Sequence, residues 1–144
     1  MQDRPTAIEL LEAAADFVED EIVPATDGRV KFQSRVVANV MRIVAREIKL
    51  EDSLVRGEVR ALAGLLNQKE PHIHSLDDLR AAGIKLNQAL TEKIREGEAD
   101  SVEWRGQVFQ VVRQSVEDKL RIANPRYVET DIANRAASQK ENIR

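Results

Sequence analysis

Residues 6–24 read TAIELLEAAADFVEDEIVP, and residues 27–50 read DGRVKFQSRVVANVMRIVAREIKL. In the first stretch Ile8, Leu11, Ala15, Val18 and Ile22 recur at helical spacing and share one face of a 3.6-residue wheel. Thr6 with Glu9 forms a capping box behind Pro5, which sets the start of a helix predicted over Ala7–Val23. Pro24 ends it, because the pyrrolidine ring cannot continue the hydrogen-bond ladder. Asp27-Gly28 supports a tight turn. A second helix is predicted from Arg29 or Lys31 to Leu50. Its inward face is Phe32, Val36, Val40, Ile43 and Val44, with Val37 and Ile48 at the edge. So short a link makes the two helices antiparallel neighbours.

Helical periodicity continues downstream. A third helix is predicted over Leu54–Leu66, with Leu54, Val55, Val59, Leu62, Leu65 and Leu66 inward; Gly57 and Gly64 make it depend on packing. Residues 67–75 read as a loop containing Pro71. Ser75 caps a fourth helix whose stripe is Leu76, Leu79, Leu86, Leu90 and Ile94. Gly83 lies on that stripe, where it either permits close helix approach or breaks the helix in two. After a turn at Gly97–Asp100, a fifth helix covers Val102–Ala123, with Trp104, Val108, Val111, Val112, Val116 and Ile122 inward. Asn124-Pro125 stops it. The expectation is an all-α, up-and-down bundle of four or five helices over residues 1–125, followed by a polar tail over 126–144.

Composition narrows the function classes. The 144 residues are 42% hydrophobic and 33% charged, as in a globular chain, and only 3% aromatic, so aliphatic side chains fill the core. The chain has no cysteine, which removes disulfides, thiolate metal sites and thiol nucleophiles and is compatible with a cytoplasmic location. No apolar run approaches the ~20 residues that span a bilayer, and no secretory leader is read at the N-terminus. A net charge of −3 argues against a general nucleic-acid binder. His72 and His74, with Glu70 nearby, fall short of a metal-ligand set. Gly-rich phosphate loops and kinase signatures are missing, so neither catalytic residues nor a cofactor are expected.

Charge is segregated. Residues 5–27 carry Glu9, Glu12, Asp16, Glu19, Asp20, Glu21 and Asp27 with no Lys or Arg. Residues 28–50 carry Arg29, Lys31, Arg35, Arg42, Arg46 and Lys49 against Glu47 alone. Antiparallel packing sets these side by side as register-fixing pairs. The sharper alternative is a basic surface for a phosphorylated ligand or an acidic partner. Arg35, Asn39, Arg42 and Arg46 fall in a ribbon about 60° wide, where guanidinium forks suit phosphate or carboxylate. Glu47 sits within the apolar face of its helix, and Lys119 within that of the fifth. Both read as buried polar groups that need a partner, in each other or, for Glu47, in an arginine; Lys119 has the alternative of snorkelling to solvent. A small helical enzyme using Glu47 with the arginine ribbon is the weakest reading of these residues. Leu10 and Phe17 lie opposite Ile8 and Val18. Either another helix of the bundle covers them or they are an oligomer or partner contact.

Four patches carry a resemblance: Met1-Gln2-Asp3-Arg4-Pro5-Thr6-Ala7 with Glu9-Leu10-Leu11; Phe17-Val18-Glu19, Pro24 and Gly28-Arg29; Phe32, Arg35-Val36, Ala38-Asn39, Ile43-Val44 and Arg46-Glu47; and Asn124-Pro125-Arg126-Tyr127. Together they resemble a family of small bacterial proteins of unassigned domain type. Its members accompany aminoglycoside-phosphotransferase-like kinases and acyl-CoA dehydrogenase-like enzymes. One branch is similar to the small accessory subunit of the hydroxyacyl-CoA kinase of levulinate catabolism. There the kinase phosphorylates a 4-hydroxyacyl-CoA, and a dehydrogenase-like partner removes the phosphate. The resemblance implies a non-catalytic subunit that binds and supports such a kinase. Leu10 and Phe17 would be its apolar anchors, and Asp3, Arg4, Arg35, Asn39, Arg42 and Arg46 its polar contacts. The alternative is a self-associating structural or regulatory bundle, a homo-oligomer without an enzyme partner.

Overall fold

The computed structural model describes residues 3–131, and every regular element among them is helical. The 132–144 part of the predicted tail lies outside the described residues. Helix α1 spans Ala7–Phe17 and passes into a π-helical turn at Val18–Ile22. Helix α2 spans Gly28–Leu65, α3 Leu76–Arg95 and α4 Val102–Ala123, and α5 occupies residues 125–131. The chain divides into two compact units, Met1–Glu51 and Asp52–Arg144, with the boundary inside α2. Within the described residues the first unit is a helical hairpin and the second a helical bundle, all-α as expected. No described helix is long and apolar enough to cross a membrane.

Local chemistry sets the ends. Thr6 Oγ1 accepts from Glu9 N at 3.2 Å, and the Glu9 carboxylate accepts from Thr6 N at 2.6 Å, completing the capping box. Ahead of Pro24 the ladder widens, and Val23 N donates to Val18 O at 2.9 Å. Thr26 Oγ1 donates to Ile22 O at 2.8 Å, satisfying one of the carbonyls left open at the end of this helix. Gly28 starts α2 at φ +55°, a conformation that disfavours side chains. Ser75 Oγ caps α3 by accepting from Asp78 N at 3.1 Å.

Two boundaries differ from expectation. The helices predicted over 29–50 and 54–66 are one helix. Leu50-Glu51-Asp52-Ser53 contains neither Gly nor Pro, and Asp52 accepts from Arg56 Nε and Nη2 one turn on, at 2.9 and 3.0 Å. The predicted tail opens with α5 instead. Pro125 stops α4 but suits the first turn of the next helix, where its missing N–H costs nothing, and Val128 is buried.

In the second unit Val59, Leu62, Ala63 and Leu66 of α2 pack with Leu79, Leu86 and Leu90 of α3 and Val108 of α4. Gly83 does not break α3. It is buried against Val55 and Val59, whose methyls lie 3.7 and 3.8 Å from where a Cβ would stand. Connections run up and down, and the turn between α3 and α4 is braced by Lys93 Nζ on Glu98 at 2.7 Å.

In the first unit the buried residues are Ala15, Val23, Ala38 and Ala45. The inward face predicted for residues 29–50 points the other way: Phe32 is 67% exposed, Val36 45%, Val40 50% and Val44 36%. The covered side of α2 is instead Ala38 and Ala45, flanked by half-buried Ser34 and Met41. Small side chains let two helix backbones approach closely, and the valines are left outside.

Candidate functional site

The first unit joins its helices through one arginine. Arg42 lies beside Ala38 on the wheel and reaches across to α1. Its Nη2 donates to Asp16 Oδ1 at 2.9 Å and its Nη1 to the Glu19 carboxylate. The Glu19 hydrogen bond, with help from Asp16, raises the Arg42 pKa above its ordinary value despite partial desolvation. Segregated charge thus sets register here, and Arg42 faces its own chain. The arginine ribbon is divided: Arg35 and Asn39 are exposed, while Arg46 is half-buried and engaged. Asp3 and Arg4 are exposed, with Arg4 Nε 3.7 Å from Glu9.

What the hairpin offers outward is apolar. Leu10 is 49% exposed and Phe17 58%, opposite buried Ala15 on α1. On α2 the outward stripe comprises Phe32, Val36, Val40 and Val44 with half-buried Ile43 beside it, and Val37 and Ile48 at its edge. Glu47 lies in line with this stripe and is exposed, which corrects its reading as a buried group.

Lys119 is likewise exposed, and its partner is Glu58 rather than Glu47. Glu58 is the acid that the second unit encloses, its side chain 10% exposed. It accepts from Ser115 Oγ at 2.5 Å, Lys119 Nζ at 3.2 Å and Asn87 Nδ2 at 3.2 Å. Lys119 also donates to Ser115 Oγ at 3.0 Å. Burial alone would push the Glu58 pKa up; hydrogen bonds from Ser115, Asn87 and Lys119, with the ammonium charge, outweigh it and hold the carboxyl below its ordinary range. Ser115 and Lys119 are spaced as in a nucleophile–base pair. The serine hydroxyl donates to the Glu58 carboxylate, and the cluster ties α2, α3 and α4 together. Sequence reasoning missed Glu58, although the signal was there: its wheel position falls between those of Leu62 and Leu65, within the leucine face of α2.

Two other features lie in the second unit. Val112 and Val116 of α4, predicted inward, instead line an open groove of about 490 Å³ with Phe109, Leu120 and Tyr127. The loop holding His72 and His74 leaves both imidazoles exposed, and Glu70 pairs with Arg60 at 3.3 Å.

Among known proteins, the model of a family described as a domain of unknown function (DUF6285) matches residues 24–127, well over half of the chain. No curated protein and no solved structure matches. Helix α1 precedes the matched segment, whereas the outward stripe of α2 and the Glu58 cluster fall inside it. The chain belongs to the DUF6285 family.

Proposed function

We propose that this chain is a non-catalytic accessory subunit that binds and supports a phosphotransferase-like kinase acting on a hydroxyacyl-CoA. The observation that carries the reading is the pair Leu10 and Phe17, half-exposed on the side of α1 opposite its packed face. Such residues need an external partner to leave water. The partner's class comes from the sequence likeness around Asp3-Arg4, Phe17-Val18-Glu19 and Arg35-Val36. In this reading the chemistry belongs to the kinase, and an acyl-CoA dehydrogenase-like protein is the second associate. Arg35 and Asn39 supply polar contacts at the rim, and Asp3 and Arg4 supply them at the start of α1.

Co-expression with a phosphotransferase-like kinase tests this. The expected result is co-purification of the two chains and higher kinase activity in the complex. Phe17→Asp should abolish capture while leaving helicity unchanged, because Phe17 is 58% exposed. Absence of capture by the unaltered chain, with no change in kinase activity, would refute the reading.

A further inference from the structure

The outward stripe of α2 carries opposite charges at its two ends. Arg29 begins it and Glu47 ends it, at the same angle on the helix wheel and equally far along the chain from Ala38. Both are exposed, and neither is ion-paired among the described residues. The apolar positions mirror each other about the same centre. Val36 and Val40 flank it closely, and Phe32 and Val44 flank it farther out. A stripe of this kind is complementary to itself when turned end for end.

We infer that the α2 stripe is the seat of a second copy of this chain, paired antiparallel about a two-fold axis near Ala38. Val36 then meets Val40 of the second copy, and Phe32 meets its Ile43, which lies on the same side of the Arg29–Glu47 line. Arg29 meets Glu47 at both ends, as the reciprocity of a two-fold interface requires. The overlap covers residues 28–48, about 30 Å of helix, and lies wholly within Met1–Glu51. The pairing explains why a carboxylate interrupts the apolar stripe: among the described residues of the single chain Glu47 has no ion-pair partner, and in the pair it has one. It also explains why the β-branched and aromatic side chains of α2 face away from α1. They fill the contact between copies, while the alanines fill the contact within one. The inference goes beyond kinase docking and does not depend on it, since Leu10 and Phe17 stand on another helix.

Sedimentation equilibrium on the full-length chain tests the proposal. The unaltered chain is expected to be a dimer that dissociates on dilution. Val36→Glu buries a charge in the middle of the contact and should weaken dimerisation at least about a hundredfold, with unchanged circular dichroism because Val36 is 45% exposed in the single chain. R29E alone and E47R alone each set like charges together and should weaken it about tenfold. The double variant R29E/E47R should restore it, which a merely greasy contact would not do. F17D should stay dimeric even where it loses the kinase, so the two readings fail separately. A monomer at every concentration would overturn the inference. So would V36E with undiminished dimerisation, or a double variant as weak as the single ones. A monomeric chain whose V36E variant loses kinase capture would assign the stripe to the kinase and overturn it equally.

Discussion

The two compact units solve burial in opposite ways. Asp52–Arg144 encloses Leu62, Leu66, Leu79, Leu86 and Leu90, large aliphatic side chains each worth roughly 1.5–3 kcal/mol on leaving water. Met1–Glu51 encloses three alanines and Val23, while Phe17, Phe32 and Val40 remain half or more exposed and Val36 nearly so. The second unit has a core that can hold it together. The first is a hairpin held by close backbone approach and the Arg42 fork, with its greasiest residues facing outward. Stability therefore resides mainly in the second unit, while the first carries the exposed apolar surface on which the proposed association rests.

This contrast breaks first if the leucine core is not the source of stability. Leu62→Ala or Leu79→Ala, both at fully buried positions, should cost about 2–5 kcal/mol in denaturant unfolding. Phe32→Ala, a larger truncation at a 67% exposed site, should stay within about 0.5 kcal/mol under conditions where the chain is monomeric. Equal losses at Leu62 and Phe32 would erase the distinction between the units.

Glu58 sharpens it next. Glu58→Gln should cost about 1–3 kcal/mol, because a charge-assisted hydrogen-bond centre shared by three helices is weakened. The sign of the pH effect follows from the direction of the shift. Since folding lowers the Glu58 pKa, its contribution is present above the unfolded-state value of about 4.3. It fades as pH falls below that value and through the lower folded-state one. Unfolding followed from pH 6 downward should show an acid-side loss in the unaltered chain that is smaller in E58Q. A parallel loss in both would assign acid sensitivity elsewhere. Gly57→Ala should act in the opposite direction. Gly57 is inside α2 with nothing within 4 Å of where its Cβ would stand, so the variant should gain up to about 1 kcal/mol.

Much of this was legible in the sequence. The Thr6–Glu9 box, the Ser75 cap and the Asn124-Pro125 stop each mark a helix end through local chemistry, and the structure places ends there. The leucine stripe of α3 identified its own buried face, because in the second unit the largest apolar residues are the ones covered. The same rule failed for α2 between 28 and 50. Periodicity locates the greasy face of a helix but not what lies against it, and here α1 settles on the alanine side. The continuity of α2 through Asp52-Ser53 was hidden because Asp and Ser, weaker helix formers that favour caps, resemble a boundary when no neighbour is known. Glu47 and Glu58 show the limit most clearly. Both interrupt an apolar stripe, and only tertiary placement tells that one is enclosed by Ser115, Asn87 and Lys119 while the other faces outward.

Hydrogen exchange of the full chain, followed peptide by peptide as protein concentration is raised, tests the division of labour most directly. The account predicts that amides of residues 28–48 gain protection with concentration while those of 54–66 and 76–95 stay as they were. Protection of 28–48 that is the same at every concentration, or a gain spread evenly over both units, would contradict it.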